Sequence, residues 1–292
     1  MKLVTFTANQ VSKIGALKKI DGRDFVIDLT AVEPSIPAQM VDFLMNEDRS
    51  REKAEAALAI PTEEAIMPLD EVRLEAPIPQ PGKILCVGLN FRDHALESGL
   101  ELPEFPTIFA KYSNVVIGPN DPIVIPKVTH QVDWEGELGF VIGKKAKHVA
   151  VDESMDYIAG YVVFNDVSAR DYQLRVSQWT IGKSFDTFGP MGPSLVTKDE
   201  VPDPSNLKIR TLIDDEVMQD SNSKELIFNI PELLSFISSV ITLEPGDLIS
   251  TGTPSGVGFG LKPKRYLKPG QMVRVEIEKL GALMNPVVAE DS

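Results

Sequence analysis

The sequence predicts a β-rich α+β protein in which a small N-terminal domain precedes a larger catalytic one, and three observations lead there. Most apolar runs beyond residue 76 are short and rich in Val, Ile and Phe. Turn formers separate them, with 22 prolines and 20 glycines among 292 residues. Only a few stretches have apolar residues at helical spacing.

Residues 1–30 alternate as short strands, and Asp21-Gly22 marks a hairpin turn between two of them. From Pro37 to Ile60 the spacing becomes helical, with Met40, Val41, Leu44 and Met45 on one stripe. The segment EAPIPQPGK, residues 75–83, contains three prolines and continues neither a helix nor a central strand. It is the expected boundary between a domain over 1–76 and a catalytic domain over 77–292. Beyond it KILCVGLN, TIFAKY, PIVIP, ELGFVIG, AGYVVFNDV, LKIRTLID, DLISTGTP and MVRVEIE read as strands. One helix interrupts them at NIPELLSFISSVITL. Asn229 or Ile230 stands at its cap and Pro231 in its first turn, with Leu233, Leu234, Phe236, Ile237 and Val240 as its apolar face.

A net charge of -14 without clustered Lys or Arg argues against a nucleic-acid surface. The single Cys86 has no disulfide partner and no zinc-like company, so a reducing compartment is expected. The N-terminal residues lack the pattern of a signal or transit peptide. No apolar run approaches the roughly 20 residues that span a bilayer. A cytoplasmic protein with no membrane partner is the expectation.

Four stretches carry chemistry. In VDWEGELGFVIG, residues 132–143, an extended chain turns Asp133, Glu135 and Glu137 to one side and Trp134, Leu138 and Phe140 to the other. Buried, such acids need positive compensation; on an edge strand they would simply face solvent. Glu135 and Glu137, with Asp166 at the end of YIAGYVVFND, form an oxygen-only set suited to Mg²⁺, Mn²⁺ or Ca²⁺. In CVGLNFRDHALESG, His94 and Glu97 are three apart and touch if a short helix starts near Asn90 or Asp93. They then form either a general base for water or a surface ion pair. His130 and His148 read as ordinary surface residues.

The third stretch, residues 165–193, collects Arg170, Gln173 and Lys183. Arg170 could grip a substrate carboxylate by two parallel bonds and Lys183 could stabilise a developing oxyanion. Alternatively, Arg170 pairs with Asp171 or Glu137 and Lys183 is exposed. The fourth, STGTPSGVGFG, lacks the Gly-Lys-Ser/Thr ending of a phosphate loop. Its amides, with Thr253, could hold a small carboxylate, or the stretch is a tight turn before a strand.

Taken in order, G-x-N-x-x-x-H-x-x-E, E-x-E-L, N-D-x-S-A-R-D-x-Q, G-K-S-F-D-T and T-G-T-P-x-G-V resemble the fumarylacetoacetate hydrolase superfamily from about Pro77 to the NPVVAE tail. The closest likeness is to its short bacterial and domain-containing members. The resemblance implies a layered mixed β-sheet roll, a homodimer, and an N-terminal α/β accessory domain. It implies Mg²⁺ or Mn²⁺ on Glu135, Glu137 and Asp166, with His94 and Glu97 activating water and Lys183 steadying an oxyanion. Arg170, Gln173, Gly252 and Thr253 would hold the substrate. The activity so implied is metal-dependent hydrolysis of a carbon-carbon bond in a 2,4-dioxo acid of acylpyruvate or fumarylpyruvate type. Oxaloacetate decarboxylation and keto-enol tautomerisation of a related oxo acid use the same chemistry. A catalytically inactive metal-binding or scaffold protein is the alternative of another class.

Overall fold

The computed structural model describes residues 1–99 and 101–291. Among them the strands form a twelve-stranded mixed sheet, a five-stranded sheet and a two-stranded ribbon. Strand Gly136–Ile142 lies inside the large sheet, antiparallel to both Ile158–Asn165 and Leu248–Ser250. All seven of its residues are buried, as expected of a strand covered on both faces. The acid-bearing segment is therefore central, and the solvated edge-strand alternative does not apply.

Beyond Leu248–Ser250 the sheet continues through Ile84–Gly88, which runs parallel to it, and ends at Thr107–Lys111. In the other direction Ile158–Asn165 leads to Gly189–Thr197 and then to Lys2–Ala8, Val11–Ile20 and Arg23–Asp28. The strands of residues 1–28 thus extend the same sheet that carries the acids. At the predicted hairpin Ile20 pairs with Arg23, and Asp21 and Gly22 take φ of 49° and 83°. Positive φ at both central residues makes the two-residue turn whose twist suits a hairpin. The five-stranded sheet, which includes Lys208–Ile213 and Met272–Ile277, packs against the large one.

Helix Ile230–Val240 begins as predicted. The Asn229 side chain accepts from the Glu232 amide while Glu232 accepts from the Asn229 amide, a reciprocal cap that stabilises such a start by about 1 kcal/mol.

Three local expectations need correction. The run 132–143 is not one strand. Val132–Asp133 pairs with Ser168–Ala169, and the main-sheet strand resumes only at Gly136. Side chains take the intervening amides: Asp133 accepts from Trp134, and the Asn165 amide oxygen accepts from Glu135. The helical stretch over 37–60 begins at Met40 and is interrupted at Asn46, giving Met40–Met45 and Glu47–Ala59, and Met45 is exposed. On helix Ile230–Val240 the buried stripe is Ile230, Leu233, Leu234 and Ile237. Phe236 and Val240 lie to its side and face solvent, because a turn of about 100° per residue carries both onto the flank of the arc centred on Ile230, Leu234 and Ile237.

Candidate active site

Glu137 sits second on its central strand, Glu135 just before that strand, and Asp166 just beyond the end of its neighbour. The Gly136–Asn165 pairing holds these chain ends together, and the Asp166 amide donates to the Glu135 carbonyl at 2.9 Å. One ligand oxygen from each of the three carboxylates lies within 4.8 Å of the other two, and all three residues are buried.

The cations that the acids require come from elsewhere in the chain. Lys183 Nζ donates to Glu135 Oε2 at 2.7 Å and to Asp166 Oδ2 at 2.8 Å. Arg170 Nη1 meets Glu135 Oε1 at 2.6 Å, and its Nε donates to Asp133 Oδ2 at 2.8 Å. Lys111, which no motif singled out, ends strand Thr107–Lys111. Its Nζ donates to Asp166 Oδ1 and to the Val167 and Phe188 carbonyls, so all three ammonium protons are placed. The available signal was a lysine inside the otherwise apolar TIFAKY. Glu137 takes its bonds at Oε2, from the Ser250 hydroxyl and the Gly252 amide at 3.0 Å.

Four buried acids, counting Asp133, thus face three buried cations, and full ionisation leaves one negative charge in surplus. Burial alone would raise the Glu135 carboxyl, but the Lys183 ammonium and Arg170 guanidinium outweigh it and hold the group down at about 2. Burial and the neighbouring Asp166 and Glu135 charges push Glu137 well above the usual carboxylate range. Burial disfavours the charged form of Lys183, yet Asp166 and Glu135 raise it further still, so this side chain is a fixed cation and a donor rather than a base.

Glu135 and Glu137 front a cleft of about 380 Å³ that His94, Arg170, Gln173 and Lys183 also line. His94 and Glu97 are carried by helix Arg92–Ser98, and His94 Nδ1 lies 3.3 Å from Glu97 Oε2. The opposing wall is aromatic: Trp179 stands edge-on to Phe109 with ring centroids 5.5 Å apart. Trp179 also presses on Gly88, where a Cβ would come within 2.3 Å of the indole. Asn90, considered as a helix start, instead ties two loops together, donating to the Phe228 and Thr251 carbonyls and accepting from the Phe228 amide.

Two expected substrate contacts take another form. Arg170 does not offer two parallel bonds, because Nε and Nη1 already bind Asp133, Glu135 and Gln173. Only Nη2 remains, buried and without a protein partner. The Thr253 hydroxyl donates to the Gly136 carbonyl and accepts from Gln219 Nε2, so it braces the loop. Gly252 contributes its amide to Glu137, and Gln173 accepts from Arg170 through its amide oxygen.

The donor set fits a hard divalent cation. Three buried carboxylates converge without sulfur or imidazole among them, and their surroundings carry surplus negative charge. Mg²⁺ and Mn²⁺ both suit oxygen donors of this kind.

Comparison with known proteins gives this architecture its class. Residues 83–288 match the fumarylacetoacetate (FAA) hydrolase C-terminal family, and the chain belongs to that family of enzymes. Among curated relatives, the mitochondrial oxaloacetate tautomerase of Xenopus laevis is 44% identical over 292 residues, covering 99% of this chain and 90% of the relative. Among solved structures, the fumarylacetoacetate hydrolase of Exiguobacterium antarcticum is 33% identical with a TM-score of 0.85, covering 99% of this chain and all of that one. A Sphingobium maleylpyruvate hydrolase, solved with manganese(II) and pyruvate, is 32% identical with a TM-score of 0.82 over the full length of both chains. Among the described residues no helix is long and apolar enough to cross a membrane.

Proposed function

We propose that this chain interconverts the enol and keto forms of oxaloacetate or a closely related 2-oxo diacid. The observation that carries this reading is the convergence of three buried carboxylates, two of which, Glu135 and Glu137, line one cleft with His94. The likeness to oxaloacetate tautomerases over almost the whole chain supports it. Glu135, Glu137 and Asp166 would hold a divalent cation. Such a cation supplies Lewis-acid polarisation of the 2-oxo oxygen when bound.

The remaining steps belong to the protein. Arg170 Nη2, the guanidinium nitrogen still free, takes a substrate carboxylate. Lys183 spends two of its three protons on Glu135 and Asp166, and the third is available to an oxygen in the cleft. His94 Nδ1 is engaged by Glu97, which leaves Nε2 for the substrate. His94 accepts the enol hydroxyl proton and returns it at C3, so one proton moves from oxygen to carbon and no water is consumed. A positioned general acid-base of this kind contributes roughly 10²- to 10⁴-fold.

Hydrolysis of an acylpyruvate is the second reading, supported by the same His94–Glu97 pair and by the likeness to maleylpyruvate hydrolase. One experiment separates the two. Enol-oxaloacetate and a panel of acylpyruvates are supplied with Mg²⁺ or Mn²⁺ and after chelation, and all products are identified. Faster ketonisation without carbon-carbon cleavage supports the tautomerase. Release of pyruvate and an acid from an acylpyruvate, with oxaloacetate ketonising at its uncatalysed rate, overturns it in favour of hydrolysis.

A further inference from the structure

The glycine-rich stretch after Thr253 lines the cleft through Val257 and Phe259. Its amides meet two carboxylates, Glu97 and Asp133. Gly256 donates to Glu97 at 3.1 Å, and Glu97 in turn engages His94. Two residues on, Gly258 donates to Asp133 Oδ1 at 2.7 Å and Phe259 donates to Asp133 Oδ2 at 2.9 Å. Asp133 is fully buried, and its Oδ2 also accepts Arg170 Nε at 2.8 Å. A continuous series of hydrogen bonds therefore runs from Arg170 through Asp133, the 256–259 backbone and Glu97 to His94.

The glycines are what permits this closeness. Gly256 has φ of +96°, and a Cβ there would lie 2.0 Å from the Met218 carbonyl oxygen. At Gly260 a Cβ would lie 2.7 Å from the Glu97 carboxyl carbon. The loop is packed against both carboxylates, so it has one seat, and Asp133 determines that seat with three of the four donors it accepts: two loop amides and a guanidinium.

We infer that Asp133 is a positioning residue for the proton-transferring pair: it seats the glycine loop and, through the Gly256 amide, sets the Glu97 carboxylate and the His94 ring. A carboxylate suits this place because it is acceptor-only, with lone pairs enough for every donor aimed at it. An amide turns an NH₂ toward either the guanidinium or a loop amide, donor against donor. The inference deepens the proposed function, since it rests on His94 being the group that moves the proton.

The test is Asp133→Asn, read by the ring ¹⁵N signals of the three histidines and by kcat and KM for enol-oxaloacetate, with the thermal midpoint as a control of folding. His130 and His148 are exposed and serve as internal references. The expected result is a changed His94 signal with the other two unmoved, and a kcat lowered about 10- to 100-fold, a part of what general acid-base catalysis contributes. Glu97→Gln alone and the double variant Asp133→Asn/Glu97→Gln should then lose about the same kcat, because residues acting as one unit are not additive. An unchanged His94 signal in a folded Asp133→Asn protein overturns the inference, as does full additivity of the two substitutions. Arg170→Lys preserves the charge but removes the Nε bond to Asp133, so it moves the His94 signal in the same sense; it replaces Asp133→Asn if that variant does not fold, and an unmoved signal in it is equally decisive. The histidine spectra need no substrate. If the wild-type protein fails to act on oxaloacetate, the functional reading falls while the positioning role is still decided.

Discussion

The two halves of the cleft are built on opposite principles. The carboxylate half lies in the interior of a sheet, with Glu135, Glu137 and Asp166 no more than 6% exposed and each tied by at least two donors. The imidazole half rides on a seven-residue helix whose N-cap, Phe91, makes no side-chain capping bond, with the His94 and Glu97 side chains 16% and 21% exposed. That helix is held from outside: Asp93 accepts from the Ser221 hydroxyl, Arg92 donates to the Leu226 carbonyl, and Glu97 accepts from Gly256. Concentrating charge takes a frame that supplies buried charges with opposite partners, because an unpaired buried charge is costly. Moving a proton needs a ring that reaches substrate, and a latched helix supplies it with little buried charge.

If that contrast is right, damage to the carboxylate half costs fold and function together. Glu135→Ala has the largest expected effect. It removes one of the two carboxylates that each of Lys183 and Arg170 holds, and breaking buried pairs of this kind costs about 4 kcal/mol. The urea midpoint should fall by a corresponding amount, turnover should drop to background, and calorimetric Mn²⁺ binding should vanish. Lys111→Met comes next at about 3 kcal/mol, because Asp166 loses one of its two ammonium partners and two carbonyls lose a donor. A Lys111→Met protein as stable as wild type would break the comparison at its rigid end.

Those partners also mark the limit of what the sequence discloses. Strand alternation placed Glu135 and Glu137 together, and burial required positive charge beside them. Nothing local says that the charge comes from Lys183, 48 residues away, or that Asp166 takes a second ammonium from Lys111, 55 residues before it. Such pairings are made by sheet order, and a linear chain carries no sign of which strands become neighbours. The interruption at Trp134–Glu135 was hidden for a similar reason, since the groups that replace the ladder belong partly to Asn165 on another strand. The His94–Glu97 contact was legible because it lies within one helical turn. The hairpin at Asp21-Gly22 and the cap at Asn229 were legible on the same ground, whereas the double engagement of the glycine loop by Asp133 and Glu97 was not.

The imidazole half should respond the other way, with function lost and fold retained. His94→Gln should lower kcat roughly 10²- to 10⁴-fold. Its urea midpoint should stay within about 1 kcal/mol of wild type, since a partly exposed pair contributes little. A large loss of stability in this variant would erase the distinction between the two halves.

The smallest expected effect concerns acid stability. Burial raises the Glu97 carboxyl, but the His94 ring and the Gly256 amide outweigh it, and the group titrates below its ordinary value of 4.5. A carboxyl lowered by folding stabilises the native state fully above its unfolded value, and that contribution is lost as pH falls through the folded one. Wild type should therefore lose, below about pH 4.5, an increment that Glu97→Gln lacks. Solvent screening of a partly exposed pair limits it to less than about 1 kcal/mol. Glutamine retains an oxygen for the Gly256 amide, so the difference between the two proteins isolates the charge from the latch. Urea midpoints of both at neutral pH and near pH 4 measure it: the gap between them should narrow on acidification, and a gap that is constant or widens would mean that the charge of Glu97 does not help hold the helix to its loop.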